Sequence, residues 1–438
     1  MEKKYMLHFF HERNYEPQSL QAFEREAVQA AQAGATHMYV MDVPKRFEEW
    51  STHPGDPYPN WGMLQTCLFK LVVPRALEPY LDADYARRNL ELVRRRSEIV
   101  KKYGMQAAVV VIDPFYLPEQ AYLDHPAWRG PRCDHPRRSR DMYFSPCIDN
   151  EEVRGLYYEA MQRLCAEVDI GFFQIITNDS GAGVCWSTGL YNGPNGPEAC
   201  RKVSMADRIV GFLQVLYDAA RSQGRETLID ITSDIFGYKA PEASMDAAWT
   251  SLKPVQLVTG RDMHGKKPVY HMLSDLIEHV RPMQTLPMTV DFVRKLHAAA
   301  GSESEYIKAV IHRSEFNEYI RILDAYREMR PQDTAQLMNV LRHVAAQIVG
   351  EAQASKLLDA WCALDDAARI MSDLHFDNFI WMPLIAERVI NRPLVPVPAA
   401  LTEEETAYYA PFLFQATTEE QARDLLNIQR SEERRVGK

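Results

Sequence analysis

The chain has 438 residues and a formal net charge of −10, with 46% hydrophobic and 25% charged residues. This composition is ordinary for a soluble globular enzyme. The acidic balance argues against nucleic acid as the main partner, because phosphate contacts need a basic surface. No apolar window approaches the roughly 18 residues of a membrane-spanning helix, and the start of the chain has no apolar targeting segment. We therefore expect a cytoplasmic protein that does not enter a membrane.

Short apolar runs alternate with amphipathic stretches through the first three quarters of the chain. The runs predict strands at residues 6–10, 36–43, 106–113, 170–177, 227–234, 255–259, 283–288 and 306–311. The amphipathic stretches predict helices at residues 15–33, 84–102, 150–168, 204–224 and 290–300, with Asp149 as the cap of the third. Neighbouring parallel strands need such crossovers. The sequence therefore predicts an α/β fold, a (β/α)8 TIM barrel over residues 1–316.

The competing fold is a doubly wound open sheet, but the Gly-x-Gly-x-x-Gly fingerprint does not follow the first strand. From about Asn317 the pattern becomes helical, with helices predicted at 319–329, 333–350 and 354–374. We expect residues 317–429 to form a C-terminal helical region that packs on the barrel and is the candidate surface for a homodimer. Residues 430–438 look like the translation of a sequencing adapter, so we expect them to have no part in the fold or the function.

Several predicted strands end in an acid. These acids are Asp42, Asp113, Asp179, Asp230 or Asp234, and Glu315. The carboxyl ends of barrel strands meet at one rim, where barrel enzymes carry their active sites. Paired carboxylates at such a rim, one protonated and one ionised, are the apparatus of glycoside hydrolysis. We predict Asp179 as the proton donor and Asp230, Asp234 or Asp113 as its partner.

Long loops rich in Trp, Arg and His flank these acids. Aromatic rings stack on sugar faces, and arginines pair with carboxylates such as a uronate. The predicted substrate-binding residues are Trp61, Trp128, Arg129, His135, Arg137, Arg138, Asn178, Trp186 and Glu315. We expect a carbohydrate substrate, with a uronate-containing or other plant or bacterial glycan as the class.

The segment from Gly171-Phe172-Phe173 through Asp179-Ser180-Gly181 is similar to the strand-four segment of the α-glucuronidases of glycoside hydrolase family 67. In that family the segment continues Asp-Ser-Glu-Gly, and the Glu is the general acid. Gly181 stands at that position here, so the resemblance leaves Asp179 as the candidate acid. The resemblance implies a barrel glycosidase with a helical C-terminal region.

Two other functions stay open at this point. One is a barrel that binds sugar without cleaving it. The other is a metal-dependent amidohydrolase-type barrel, although that class usually places a His-x-His on strand one, and two residues separate His8 from His11 here. The seven cysteines include no C-x-x-C pair, and Cys133, Cys147, Cys185 and Cys200 match no common zinc spacing. We therefore predict buried reduced thiols, no metal and no cofactor.

Overall fold

A computed structural model describes residues 3–10, 18–41, 66–133, 144–177, 183–187, 196–231, 257–258, 269–273, 286–313 and 316–373. The strands, in chain order, are β1 (Lys4–Phe10), β2 (Ala35–Tyr39), β3 (Gln106–Ile112), β4 (Arg129–Arg132), β5 (Phe144–Pro146), β6 (Ile170–Ile176), β7 (Leu228–Ile231), β8 (Leu257–Val258), β9 (Tyr270–Leu273) and β10 (Tyr306–His312). β4 and β5 form a separate antiparallel pair. The other eight form one parallel sheet.

The eight-stranded sheet has the order β8-β7-β6-β3-β2-β1-β10-β9. This sheet is strongly curled. β7 lies next to one edge and β9 forms the other, yet the Tyr270 hydroxyl on β9 donates to Asp230 Oδ2 on β7 at 2.9 Å. The edges therefore face each other around a lumen filled by side chains. The predicted (β/α)8 barrel class with a C-terminal helical region is confirmed.

The helices are α1 (Leu20–Gln32), α2 (Ala83–Lys102), α3 (Glu119–Asp124), α4 (Glu151–Glu167), α5 (Met205–Ser222), α6 (Thr289–Gly301), α7 (Phe316–Met329), α8 (Thr334–Val349) and α9 (Glu351–Asp373). Polar caps begin several of them, as the free backbone N–H groups of a first turn require. The side chains of Ser19, Asp82 and Ser204 each accept such a hydrogen bond. Asn150 caps α4, accepting from Val153 N, so the prediction of Asp149 as that cap was wrong by one residue.

One strand was predicted in the wrong place. The seventh barrel strand is β9, whereas residues 286–288, the described part of the predicted 283–288 strand, form an irregular segment that precedes α6. β9 has only four residues and includes a His between its Tyr and Met, so it lacks the apolar run that marks the other buried strands. One of the predicted long loops rich in Trp, Arg and His follows β3, and it also contains regular structure, namely α3 and the β4–β5 pair.

Two layers of apolar side chains follow from the alternation of side chains along each strand. The larger layer lies between the sheet and the helices and includes Val109, Tyr157 and Phe173. The smaller layer fills the lumen with Met6, Tyr39, Ala108, Phe172, Tyr270 and Tyr306. β6 is buried along almost its whole length, as expected for a parallel strand covered on both faces.

α7 follows the last barrel strand and packs on the first barrel helix, with Arg327 Nη2 donating to Gln32 O of α1 at 2.6 Å. α8 and α9 continue the helical region, and an ion pair of 2.9 Å between Arg294 and Asp365 joins α6 to α9. The limits of the predicted domains stay a prediction. Across the described ranges, no helix is both long and apolar enough to span a bilayer.

Candidate functional site

Polar side chains from six strands meet inside the barrel, and we call them the lumen network. Its members are His8 of β1, Tyr39 of β2, Gln174 of β6, Asp230 of β7, Tyr270 of β9 and Lys308 of β10. Gln174 and Asp230 are register partners on adjacent strands. Buried polar groups need partners, because an unpaired one keeps its full desolvation cost.

Asp230 is the acid of this network, and its residue is fully buried. Its Oδ2 accepts a hydrogen bond from Gln174 Nε2 at 2.7 Å and another from the Tyr270 hydroxyl at 2.9 Å. Bonds of this kind to a carboxylate are the strong, charge-assisted type. They hold the carboxylate within the lumen at the level of Gln174.

Lys308 is the cation of the network and is only 3% exposed. Its Nζ donates to Gln174 Oε1 and lies 5.3 Å from the ring centroid of Tyr39 and 5.8 Å from that of Tyr270. Gln174 therefore turns its oxygen to the ammonium and its amide N–H to the Asp230 carboxylate. One amide side chain bridges two opposite charges, and both charges fix its orientation.

The other members stay neutral near pH 7. His8 stacks on Tyr39 with ring centroids 4.4 Å apart. Burial, together with the charges of Lys308 and Arg313, lowers the pKa of His8 to about 3. Burial also raises the pKa of Tyr39 and Tyr270, and the Asp230 charge raises both further. His8 therefore contributes stability above its usual pKa of 6.5 that is lost as the pH falls towards 3.

The network lies below the carboxyl ends of the strands. Gln174 comes three residues before Thr177, after which the sequence continues with Asn178 and Asp179. The lumen network therefore forms a floor of charged and polar side chains beneath the carboxyl ends of the strands. Such a floor can hold polar groups above it in fixed orientations, as active sites require.

Asp113, a predicted catalytic acid, points the other way. It lies on the outer side of the sheet, where Oδ2 accepts from Leu68 N at 2.9 Å and Oδ1 from the Tyr157 hydroxyl of α4 at 3.1 Å. Burial raises the pKa of Asp113 to about 7, against a usual value of 3.8. The structure does not bring Asp113 together with the lumen network, and its contacts fit a role in joining β3 to α4.

A raised pKa predicts how Asp113 affects stability. The protonated carboxyl is favoured in the folded state, so its contribution is complete below pH 3.8 and is lost as the pH rises through 7. Asp113→Asn keeps the neutral form at every pH. Relative to the wild type, we expect the variant's free energy of unfolding to rise between about pH 4 and pH 7, by up to about 1.4 kcal/mol per unit. Urea unfolding at several pH values measures this difference.

The pH range over which His8 affects stability overlaps that of Asp113. His8 is present in both the wild type and Asp113→Asn, so its contribution cancels in the difference between their free energies of unfolding. The exposed Asp218 of α5 provides the matched control. We expect Asp218→Asn to give a much flatter difference from the wild type, because solvent screens the interactions of an exposed carboxyl group. A difference for Asp113→Asn that is equally flat would show that Asp113 is ionised in the folded protein throughout this range.

Two predicted substrate-binding residues make structural contacts at the start of α4 and α3. Trp128 is 3% exposed, donates from Nε1 to Glu152 Oε2 at 2.6 Å, and has one ring face stacked on His125 at 3.8 Å. Arg129 forms an ion pair with Glu119 and lies over the rings of Tyr122 and Phe144. These contacts occupy the groups that would meet a sugar, and a binding role for either residue stays a prediction.

Trp186 lies in the connection between β6 and α5. Its backbone is in the left-handed region, with φ of 62°. Its indole Nε1 donates to Pro197 O at 3.0 Å, and the Arg201 guanidinium lies 5.1 Å from its ring centroid. The ring is half-buried against three cysteines, Cys147, Cys185 and Cys200. Trp186 therefore links two parts of this connection, because its contacts reach Pro197 and Arg201.

The remaining predicted site residues lie outside the described part of the chain. They are Trp61, His135, Arg137, Arg138, Asn178, Asp179, Asp234 and Glu315. Their roles stay predictions.

The sequence reasoning missed most of the lumen network. Lys308 and Gln174 each interrupt an apolar strand with one polar residue, and Tyr270 lies on the strand that was misplaced. The available signal was a polar residue inside a strand that is otherwise apolar on both faces. Such a residue points to the lumen, because the lumen is where several strands can supply hydrogen-bond partners for a buried polar side chain.

No family model and no curated protein matches the chain. Solved structures with similar folds include the pneumococcal virulence factor StrH, in a study of N-glycan recognition and hydrolysis, at 11% identity and a TM-score of 0.41 over 84% of this chain and 97% of that one. A GH36 α-galactosidase of Geobacillus stearothermophilus has 12% identity and a TM-score of 0.35 over 75% and 42%. The N-acetylneuraminate lyase of Proteus mirabilis has 10% identity and a TM-score of 0.34 over 94% and 97%. Likenesses this distant carry no inference about activity or site residues.

Proposed function

We propose that the chain is a carbohydrate-active barrel enzyme that hydrolyses a glycosidic bond, with Asp179 as the proton donor. The observation that carries the proposal is the buried Asp230, held by Gln174 and Tyr270 in the lumen beneath the strand that leads to Asn178 and Asp179. Barrel enzymes work at this end of the strands. A general acid needs a second carboxyl group close to it that favours its protonated form, and this second acid is the other half of the proposal.

Asp230 itself is held too firmly and too deeply to be the first choice for the partner acid. Its Oδ2 accepts two hydrogen bonds, and the residue is fully buried. Asp234 follows four residues later, so the period of two places it on the same face if the strand continues. We infer that Asp230 supplies charge to the floor and that Asp234 is the better candidate for the nucleophile or base. The family 67 resemblance and the arginine-rich sequence of residues 129–138 favour a uronate-containing glycan.

The second candidate is a barrel that binds a sugar without cleaving it. The observation that favours it is Gly181, which stands where the resembled family has its acid. The two candidates differ in one measurable way. Cleavage requires a second carboxyl group about 5 to 9.5 Å from Asp179, whereas binding requires none.

A screen of aryl-glycosides, including a glucuronide, tests the proposal. For whichever glycoside the wild type hydrolyses, we expect Asp179→Asn to lower kcat/KM by about 10²- to 10⁴-fold, because the amide cannot donate a proton to the leaving oxygen. Aryl-glycosides with better leaving groups should be affected less. Asp218→Asn on the exposed face of α5 is the matched control and should keep full activity.

Retention of full activity by Asp179→Asn would exclude it as the acid. If the wild type cleaves none of the glycosides but binds one of the sugars in calorimetry, the sugar-binding function replaces the hydrolase.

A further inference from the structure

We propose that Cys147, Cys185, Cys200 and Asp149 form a binding site for one zinc ion, which ties the connection between β6 and α5 to the turn before α4. We call these residues the thiol cluster. The proposal does not depend on the glycosidase function.

The geometry of the thiol cluster carries the inference. Cys147 Sγ lies 3.3 Å from Cys200 Sγ and 3.5 Å from Cys185 Sγ. Taking one donor atom from each residue, the three sulfurs and an Asp149 carboxylate oxygen all lie within 4.8 Å of one another. Four ligands around tetrahedral zinc, with bonds of about 2.3 Å to sulfur, hold the sulfurs about 3.8 Å apart. Adjustments of about an ångström or less bring the four donors to zinc distances.

The chemistry of the donors selects the metal. Thiolates are soft ligands that favour zinc, copper(I) and iron–sulfur centres, whereas magnesium and calcium take oxygen ligands. Three thiolates and a carboxylate in a tetrahedral arrangement suit zinc, which has no redox chemistry of its own.

A buried arginine builds the surroundings of the thiol cluster. Arg208 of α5 donates from Nε to the Asp149 carboxylate at 2.8 Å, from Nη1 to Cys185 O at 2.6 Å and from Nη2 to Cys200 O at 2.7 Å. It therefore orients three of the four candidate ligands from outside, as the groups around metal sites do. Its positive charge offsets part of the negative charge that three thiolates and a carboxylate would bring to zinc.

The cluster is closed and largely dry. Cys147, Cys185 and Cys200 are 3%, 0% and 7% exposed, and the half-buried Trp186 packs against them. A Cβ on Gly196 would lie 3.1 Å from Cys185 Cβ, so the chain approaches the cluster closely there. A site with four protein ligands and little access for water is structural rather than catalytic. It would secure the connection that carries Asn178 and Asp179 in the sequence.

The test is the metal content of the full-length protein, expressed with added zinc and purified without chelator. We expect about one zinc ion per chain by mass spectrometry of the metal. Replacing zinc with cobalt(II) in the wild type should give thiolate-to-cobalt charge-transfer absorption and the visible bands of a tetrahedral site. This second measurement needs no variant, so it remains decisive if a cysteine variant fails to fold.

Cys147→Ser should lower the zinc content by more than about tenfold, because one thiolate is lost. Cys165→Ser is the matched control, since Cys165 is equally buried but lies on α4 outside the thiol cluster; it should keep its zinc. Wild-type protein with only trace metal and no cobalt–thiolate absorption would overturn the proposal. So would a disulfide between any two of the three cysteines in the protein as purified from the zinc-supplemented culture.

Discussion

Lys308→Met is expected to lower the free energy of unfolding by about 3 to 5 kcal/mol, the usual effect of removing one partner from a buried pair of charges. The substitution keeps most of the side-chain volume but removes the ammonium that Gln174 Oε1 accepts from. Asp230 then keeps its charge in the lumen without the Lys308 ammonium on the other side of Gln174. Chemical unfolding of the two proteins measures the difference.

A double-mutant cycle separates charge from packing. Asp230→Asn alone leaves Lys308 as the unbalanced charge, whereas the double variant Lys308→Met with Asp230→Asn removes both. We expect the double variant to be more stable than the sum of the two single losses predicts, because the two charges act through one amide. Lys101→Met is the control, since Lys101 is 73% exposed and 3.5 Å from Asp169; it should cost less than about 1 kcal/mol. Strict additivity in the cycle would mean that the charges do not interact.

Arg208→Met is the second large effect, with an expected loss of about 3 to 5 kcal/mol. The Arg208 side chain is 1% exposed, and that of its partner Asp149 is 8% exposed. Methionine fills similar space but donates no hydrogen bond, so the Asp149 carboxylate and the backbone carbonyls of Cys185 and Cys200 lose the hydrogen bonds from Arg208. Cys200 O keeps the hydrogen bond from Val203 N. Buried acceptors that lose their donors keep their desolvation cost. Thermal and urea unfolding measure the loss.

Arg201→Met is the matched control for Arg208→Met. Arg201 lies in the same connection, but its side chain is 49% exposed and 3.7 Å from Glu198, which is 79% exposed. Its loss should cost less than about 1 kcal/mol, even with its contact to the Trp186 ring. Equal stabilities for the two arginine variants would show that water reaches Asp149 when Arg208 is absent.

The barrel could be predicted because its strongest signals are local. β3, β6 and β10 are uninterrupted or nearly uninterrupted apolar runs, and the helices between the strands have capping residues and 3.6-residue periodicity. β9 could not be found in the same way, since only four residues pair there and its polar His271 breaks the run.

The lumen network and the thiol cluster depend on long-range contacts that spacing does not encode. Lys308 and Gln174 are 134 residues apart, and the three cysteines come from the turn before α4 and two separate parts of the connection before α5. Zinc spacing patterns describe ligands carried by one or two turns, so they exclude a set assembled by tertiary folding. Buried thiols without a metal were predicted because the spacing of the cysteines was compared with those patterns alone. Cys133 was grouped with the other three in the sequence, but it does not belong to the thiol cluster.

The single amide that joins Lys308 to Asp230 also limits how this barrel can diverge. A lumen with both charges or with neither is tolerable, whereas an intermediate with only one is costly. Substitutions at positions 308 and 230 should therefore appear together in descendants of this chain, and position 174 is then released from the need for a group that both donates and accepts. Such correlated exchange across the sheet would distinguish true relatives of this protein from barrels that share only its outline.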